Sequence, residues 1–192
     1  IFKYCNFALD SGHGLAALLG FHWPLPTHLN ILLPLGISFY TFEAISYMVD
    51  VYRAAKQSPD EIAKHVAPSW WDYNFYIMYF PHLISGPIVR FGELFPQYAK
   101  PIQLPTVERM AKGVELCLLG YAFKVLLADP AATLVDPVFN DPTHASVVQT
   151  YLAALGFTVQ IYFDFMGYTH IARGVSLLFN LEMPLNFNHP YL

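Results

Sequence analysis

Apolar residues run through this chain in long blocks rather than in the one-sided stripes of a soluble domain. A helix that crosses a bilayer core needs about 20 mostly apolar residues. Ile31–Val51 meets that length, interrupted by Pro34, Glu43 and Asp50. Val114–Ala128 is shorter but dense and extends back to Val107, and Val147–Phe165 is a third block. Ile171–Leu181 is short enough to read as an interfacial or partly inserted helix. Phe2–Phe21 is apolar but holds Asp10, His13 and three glycines. Trp70–Val89 is broken by Pro81 and by Ser85-Gly86-Pro87, because proline removes a backbone donor and disfavours helix in the residue before it. Irregular backbone at membrane depth needs protein or water to cover it, so this block reads as a re-entrant or broken segment, with a kinked span as the alternative. The pattern predicts an all-α, multi-span integral membrane protein with at least one broken or re-entrant segment, forming one embedded domain over residues 1–192.

Composition strengthens that reading. The 192 residues are 55% hydrophobic and only 12% charged, with a mean hydropathy of +0.38, against roughly 25% charged in ordinary soluble domains. Aromatics reach 17%, as suits rings seated near lipid headgroups. The net charge of −4 comes without a basic patch, so nucleic acid is not an expected partner. Cys5 and Cys117 have no CxxC spacing and read as free thiols in apolar stretches. The chain opens at Ile1 without Met or a signal peptide and stops at Leu192, which reads as a piece of a longer protein.

The connecting stretches are asymmetric. Arg53–Ser69 and Arg90–Lys112 carry the Lys and Arg, whereas Asp129–Ser146 carries three Asp and neither. The positive-inside bias puts the two basic loops in the cytoplasm and the acidic one outside. Both basic loops share a side only if Trp70–Val89 enters and returns. Thr106 reads as a helix N-cap with Glu108 in the first turn, where the macrodipole favours an anion.

Ionisable groups inside apolar helices mark candidate sites. Tyr40, Glu43, Tyr47 and Asp50 recur at spacings of 3, 4 and 3 and so share one helical face. Gln160, Asp164 and Tyr168 share another. Each face either packs against a neighbouring helix or lines a polar cavity. Lys124, close to the end of its block, reads as snorkelling to the interface. Glu108, Lys112 and Glu115 read as a solvated ladder. None of the eight histidines forms an HxxxH or HExxH pair, so no metal site is expected. His82 and His189 stand beside the two proline-containing breaks and are candidate bases, although a lone His is more often structural. No GxSxG, GxGxxG or Walker run occurs. A transporter or channel fragment is open at this level, since broken helices and intramembrane carboxylates also mark ion paths.

Five motifs go further, the first of them in two parts. Leu33-Pro34-Leu35-Gly36-Ile37-Ser38-Phe39-Tyr40-Thr41-Phe42 is followed by Tyr47-Met48-Val49-Asp50-Val51-Tyr52-Arg53. Then come Tyr79-Phe80-Pro81-His82-Leu83-Ile84-Ser85-Gly86-Pro87-Ile88-Val89-Arg90 and Lys124-Val125-Leu126-Leu127-Ala128-Asp129. Gln160-Ile161-Tyr162-Phe163-Asp164-Phe165-Met166-Gly167-Tyr168 and Asn186-Phe187-Asn188-His189-Pro190-Tyr191 complete the series. In this order they resemble the membrane-bound O-acyltransferase family, in its branch of bacterial alginate O-acetylation proteins, from about Phe2 to Leu192. The branch usually has Ser at the place of Met166, an acidic residue at His170 and an apolar one at Arg173.

The resemblance implies helices surrounding a polar tunnel and transfer of an acyl group, acetyl in this branch, to hydroxyls of an exported or cell-surface polysaccharide. The acyl donor is then acetyl-CoA or an acyl carrier, with no bound cofactor. The implied place is a bacterial inner membrane, multi-pass, with the lipid bilayer and a polysaccharide acceptor or periplasmic acyl-transfer partner as partners. The family's catalytic histidine belongs to a Trp-His run beyond Leu192, so it maps onto no residue here. Tunnel or substrate-path candidates are Glu43, Asp50, Arg90, Gln160, Asp164 and Asn186. A non-catalytic scaffold that docks a periplasmic transferase is the further alternative.

Overall fold

In the computed structural model, residues 4–21, 24, 26, 28–30, 34–57, 66–84, 86–101 and 103–186 are described. The described residues are helical, without β-strand. By backbone proximity the chain forms two compact units, 1–37 and 38–192.

The first unit is built on α1, Cys5–Leu18, inside the expected Phe2–Phe21 block. Gly20 stops it with a φ of +73°. The Phe21 N–H reaches back to the Ala16 carbonyl at 2.8 Å and the Gly20 N–H to that of Ala17 at 3.2 Å, the paired bonds of a Schellman cap. Asn6 clamps the return of the chain: its Oδ1 accepts from the Leu29 N–H at 2.9 Å and its Nδ2 donates to the Leu29 carbonyl at 3.0 Å.

The second unit starts at Ser38, within α2, Ile37–Ala55. That helix begins later than the Ile31–Val51 block, after a turn in which Gly36 takes a φ of +73° and the Ile37 N–H bonds the Pro34 carbonyl. Its polarity is inverted relative to a soluble helix: Phe42 and Met48 are 63% and 65% exposed, while Glu43 is 1% exposed. Apolar side chains turned outward around a buried carboxylate suit a lipid surround.

Trp70–Val89 is broken as the prolines predict. Helix α3, Trp70–Met78, is capped by Ser69, which accepts from the Asp72 N–H at 3.2 Å. It gives way to a turn over 80–84 and irregular backbone over 86–90. The Arg90–Lys112 stretch, expected as loop, instead contains α4, Phe91–Tyr98. Phe91, Leu94, Phe95 and Tyr98 fall on one face, and Phe91 and Leu94 join Tyr76, Tyr79, Val89, Leu181 and Met183 in the core of this unit.

Helix α5, Val107–Phe123, is capped by Thr106 as expected, through the Arg109 N–H at 3.3 Å. It continues through a widened π turn, Lys124–Ala128, into α6, Asp129–Asn140. The Asp129–Ser146 loop is therefore helical over most of its length. Asp129 and Pro130 occupy the first turn of α6, and Pro130 has no N–H to give the carbonyl four residues earlier. A π turn re-pairs the backbone there. The continuous 34-residue helix Val107–Asn140 is long and apolar enough to cross a membrane, with a length of about 51 Å. Asp141 follows, its carboxyl held below the usual range by hydrogen bonds from the Thr143 hydroxyl and His144.

The capping box of Ser146 and Gln149 starts α7, Val147–Leu178. This one helix joins Val147–Phe165 to most of Ile171–Leu181, so the short interfacial helix expected there is not separate. It ends where Asn180 takes a φ of +61° and the Leu181 N–H returns to the Ser176 carbonyl at 2.9 Å. Helix α7 runs antiparallel to α5 with glycine facing glycine at a seven-residue interval, Gly113 with Gly174 and Gly120 with Gly167. A Cβ built on Gly174 would stand 2.5 Å from the Gly113 carbonyl oxygen, and one on Gly167 2.7 Å from that of Gly120. The backbones touch, which is how helices associate where no hydrophobic effect drives them together.

Candidate functional site

The polar face of α2 meets the broken segment residue by residue. Glu43 hydrogen-bonds His82 through Oε1 and Nδ1, and both side chains are buried. One helical turn on, the Tyr47 hydroxyl accepts from the Ala67 N–H at 3.0 Å, and its ring packs on Tyr73, Tyr76 and Phe91. Asp50 lies 3.9 Å from the Arg90 guanidinium, which is 61% exposed. The spacing that puts Glu43, Tyr47 and Asp50 on one face thus clips α2 to both ends of the 79–90 segment.

His82 is held on both sides. Its Nε2 is 3.0 Å from the Tyr76 carbonyl, and a carbonyl only accepts, so Nε2 carries the hydrogen. Nδ1 faces Glu43, and the pair is either imidazolium with carboxylate or its neutral equivalent. In both forms Nε2 is a donor, leaving the ring no free lone pair to take a substrate proton. Gly86 makes the turn possible: its N–H bonds the His82 carbonyl at 3.2 Å, and a Cβ there would stand 2.9 Å from the Pro81 oxygen and closer still to His82. Tyr76 closes the arrangement by donating its hydroxyl to the Val89 carbonyl at 2.8 Å. The Tyr168 hydroxyl of α7 donates to the Pro81 carbonyl at 3.3 Å.

The polar face of α7 forms a second cluster. Asp164 is 2.6 Å from the Lys124 ammonium, which is also 2.9 Å from Asp129. Lys124 is therefore engaged at the π turn rather than free to snorkel. π turns recur at functional sites. Lys124 and Asp164 line an open groove of about 430 Å³ with Phe39, Phe165 and Tyr168. The Gln160 Oε1 is shielded from solvent with no partner among the described residues. Glu43 and Asp50 do not line this groove, so the two polar faces lie in different surroundings. Asn186 is exposed and lies outside any helix. His189 lies outside the described residues.

A larger cavity, about 850 Å³, opens where α3, α4, the start of α5 and the turn after α7 meet. Gln97 braces it, accepting from the Glu182 N–H at 2.7 Å and donating to the Glu182 carbonyl at 3.0 Å. Arg109 pairs with Glu182 at 2.8 Å. Burial raises the Tyr98 hydroxyl far above its ordinary range, with Asp72 adding to the effect, and that hydroxyl donates to the Asp72 carbonyl at 3.0 Å. No motif announces this cavity, because its walls come from four separate stretches of chain.

No family model matches the chain. It is similar over its whole length to a probable alginate O-acetylase AlgI of Pseudomonas aeruginosa, 40% identical, of which it covers 34%. A peptidoglycan O-acetyltransferase of Helicobacter pylori is 33% identical over 99% of the chain, which covers 38% of that protein. A teichoic acid D-alanyltransferase of Bacillus subtilis is 26% identical over the whole chain, which covers 48% of it. The chain thus spans about a third to a half of the length of these curated relatives. Matched over its whole length by a part of each, and with its ordered runs from Leu33 to Tyr191, the chain is homologous to acyltransferases of the membrane-bound O-acyltransferase family, alginate O-acetylases among them.

Proposed function

We propose that the protein to which this segment belongs is a multi-pass O-acyltransferase of the bacterial inner membrane, acetylating hydroxyls of an exported polysaccharide. The observation that carries this reading is the 40% identity over the whole segment with a probable alginate O-acetylase. The donor is acetyl-CoA or an acyl carrier. A histidine downstream of residue 192 takes the hydroxyl proton as general base, while hydrogen-bond donors stabilise the tetrahedral oxyanion. The present segment supplies wall and scaffold, and the Lys124–Asp164 groove lines the tunnel in which donor and acceptor meet away from water. The engagement of both His82 nitrogens supports placing the base elsewhere.

Acetyl release onto polymer tests the proposal. The full-length protein should be active, and Ala at its downstream Trp-His histidine should lower the rate by about 10²–10⁴, as loss of a general base does. Residues 1–192 alone, inserted in membranes, should show no transfer above background. Turnover by the segment alone, or an active downstream Ala variant, would refute the assignment.

Topology gives a second test. Single cysteines at Gln57 and Gln103 should resist an impermeant maleimide added from outside, while one at Thr143 should react. Gln103 and Thr143 flank opposite ends of the 34-residue helix, so labelling both from one side removes it as a span. Labelling Gln57 and Gln103 from opposite sides removes the re-entrant reading of Trp70–Val89.

A further inference from the structure

The 850 Å³ cavity belongs to neither polar face and has two unlike ends. Toward α3 and the turn after α7 its wall is aromatic and uncovered. Phe80 meets Phe179 edge-on at 5.9 Å, and both rings are more than half exposed, with Phe75 and Met78 beside them. Toward the start of α5 it carries Lys100 and Arg109. Lys100 has no acidic group within ion-pair distance among the described residues. Arg109 shares one nitrogen with Glu182, while its Nε is shielded with no partner. The charged side chains lining the cavity, Lys100, Arg109 and Glu182, therefore sum to one surplus cation. The volume falls in the range of ligand sites rather than packing defects.

A soluble anion would satisfy the cationic end and leave the phenylalanines wet. A neutral apolar chain would cover the rings and leave Lys100 without a counter-charge. We propose that this cavity binds an anionic membrane lipid, its phosphate head at Lys100 and Arg109 and an acyl chain along Phe75, Phe80 and Phe179. The position agrees with that occupant: the cationic rim lies in the basic Arg90–Lys112 stretch, the side on which anionic leaflet lipids draw Lys and Arg. Gln97 and Arg109 tie the Glu182 backbone and side chain beneath the site, so an occupant would brace the turn after α7 against α4. The inference rests on the membrane placement proposed above, which cysteine labelling reads separately, and not on acyl transfer.

The test uses the purified full-length protein with vesicles of dioleoylphosphatidylglycerol or dioleoylphosphatidylcholine, and with inorganic phosphate alone. Native mass spectrometry counts retained lipid, and a thermal melt in detergent reads stabilisation. Phosphatidylglycerol should be retained and should raise the melting midpoint, whereas phosphatidylcholine and phosphate should do neither. Lys100→Gln, at an exposed position, should weaken phosphatidylglycerol retention about five- to tenfold, the factor expected for losing one charge contact at a membrane surface. Phe80→Ala should weaken retention of the same lipid while keeping its preference over phosphatidylcholine. Equal retention of the two lipids, stabilisation by phosphate alone, or unchanged retention in either variant would overturn the proposal.

Discussion

In the full-length protein, His82→Ala should lower stability by about 3–5 kcal/mol, because it leaves the buried Glu43 carboxylate without its partner. Glu43 and His82 are among the most buried large side chains of the described chain, and the Glu43 Oε2 already lacks a second partner there. Glu43→Ala should have a comparable effect, since an imidazole pinned by Tyr76 would then face an empty pocket. Replacing the whole pair with apolar residues of similar size, Glu43→Met with His82→Leu, should recover most of the loss, because neither charge is left buried alone. Fluorescence-detected size exclusion after a temperature series, in detergent, measures all three. Single-variant losses that simply add in the double variant would mean the pair is not coupled.

Gly120→Leu should be at least as damaging, by a different route. The Gly120 Cα faces the Gly167 carbonyl, with Ile171 and His170 beside it, leaving no room for a side chain. Overpacking a tight core costs about 1–3 kcal/mol when side chains can shift, and a backbone carbonyl cannot shift without parting α5 from α7. The expected result is loss of folded protein, or separation of the two helices by several ångströms. Gly14→Ala is the control: nothing lies within 4 Å of the added methyl. That change should be neutral or stabilising by up to about 1 kcal/mol, because Ala is the better helix former. Yield and melting midpoint report both. A well-folded Gly120→Leu protein would mean the glycine-to-glycine register is wrong.

What could be read from residues alone was local. The Glu43–Tyr47–Asp50 face followed from helical spacing within one block, and the break after Tyr79 followed from Pro81. The partners did not, because His82 is 39 residues from Glu43 and nothing in either neighbourhood names the other. Lys124 looked like an interfacial lysine for the same reason, its carboxylate Asp164 lying on the following long helix. The helix through Asp129–Asn140 was hidden by its own first turn. Asp and Pro read as loop residues, yet they are what the start of a helical segment accepts, an anion near the N-terminus and a residue without N–H. Helix α4 was hidden by Pro96 within it and by Pro101 and Pro105 after it, although Phe91, Leu94, Phe95 and Tyr98 carry the helical interval.

The account makes Glu43 and His82 a clamp on the broken segment and leaves the acyl-transfer proton to a downstream histidine. Acetyl transfer to polymer by the full-length protein carrying Glu43→Gln with His82→Gln tests this most directly, since two amides can hydrogen-bond across the same site but neither can act as a base. At normal yield and insertion, the account predicts a rate within about tenfold of the parent, well short of the 10²–10⁴ that loss of a general base brings. A folded, inserted double variant with transfer reduced a hundredfold or more would contradict it and make His82 the base.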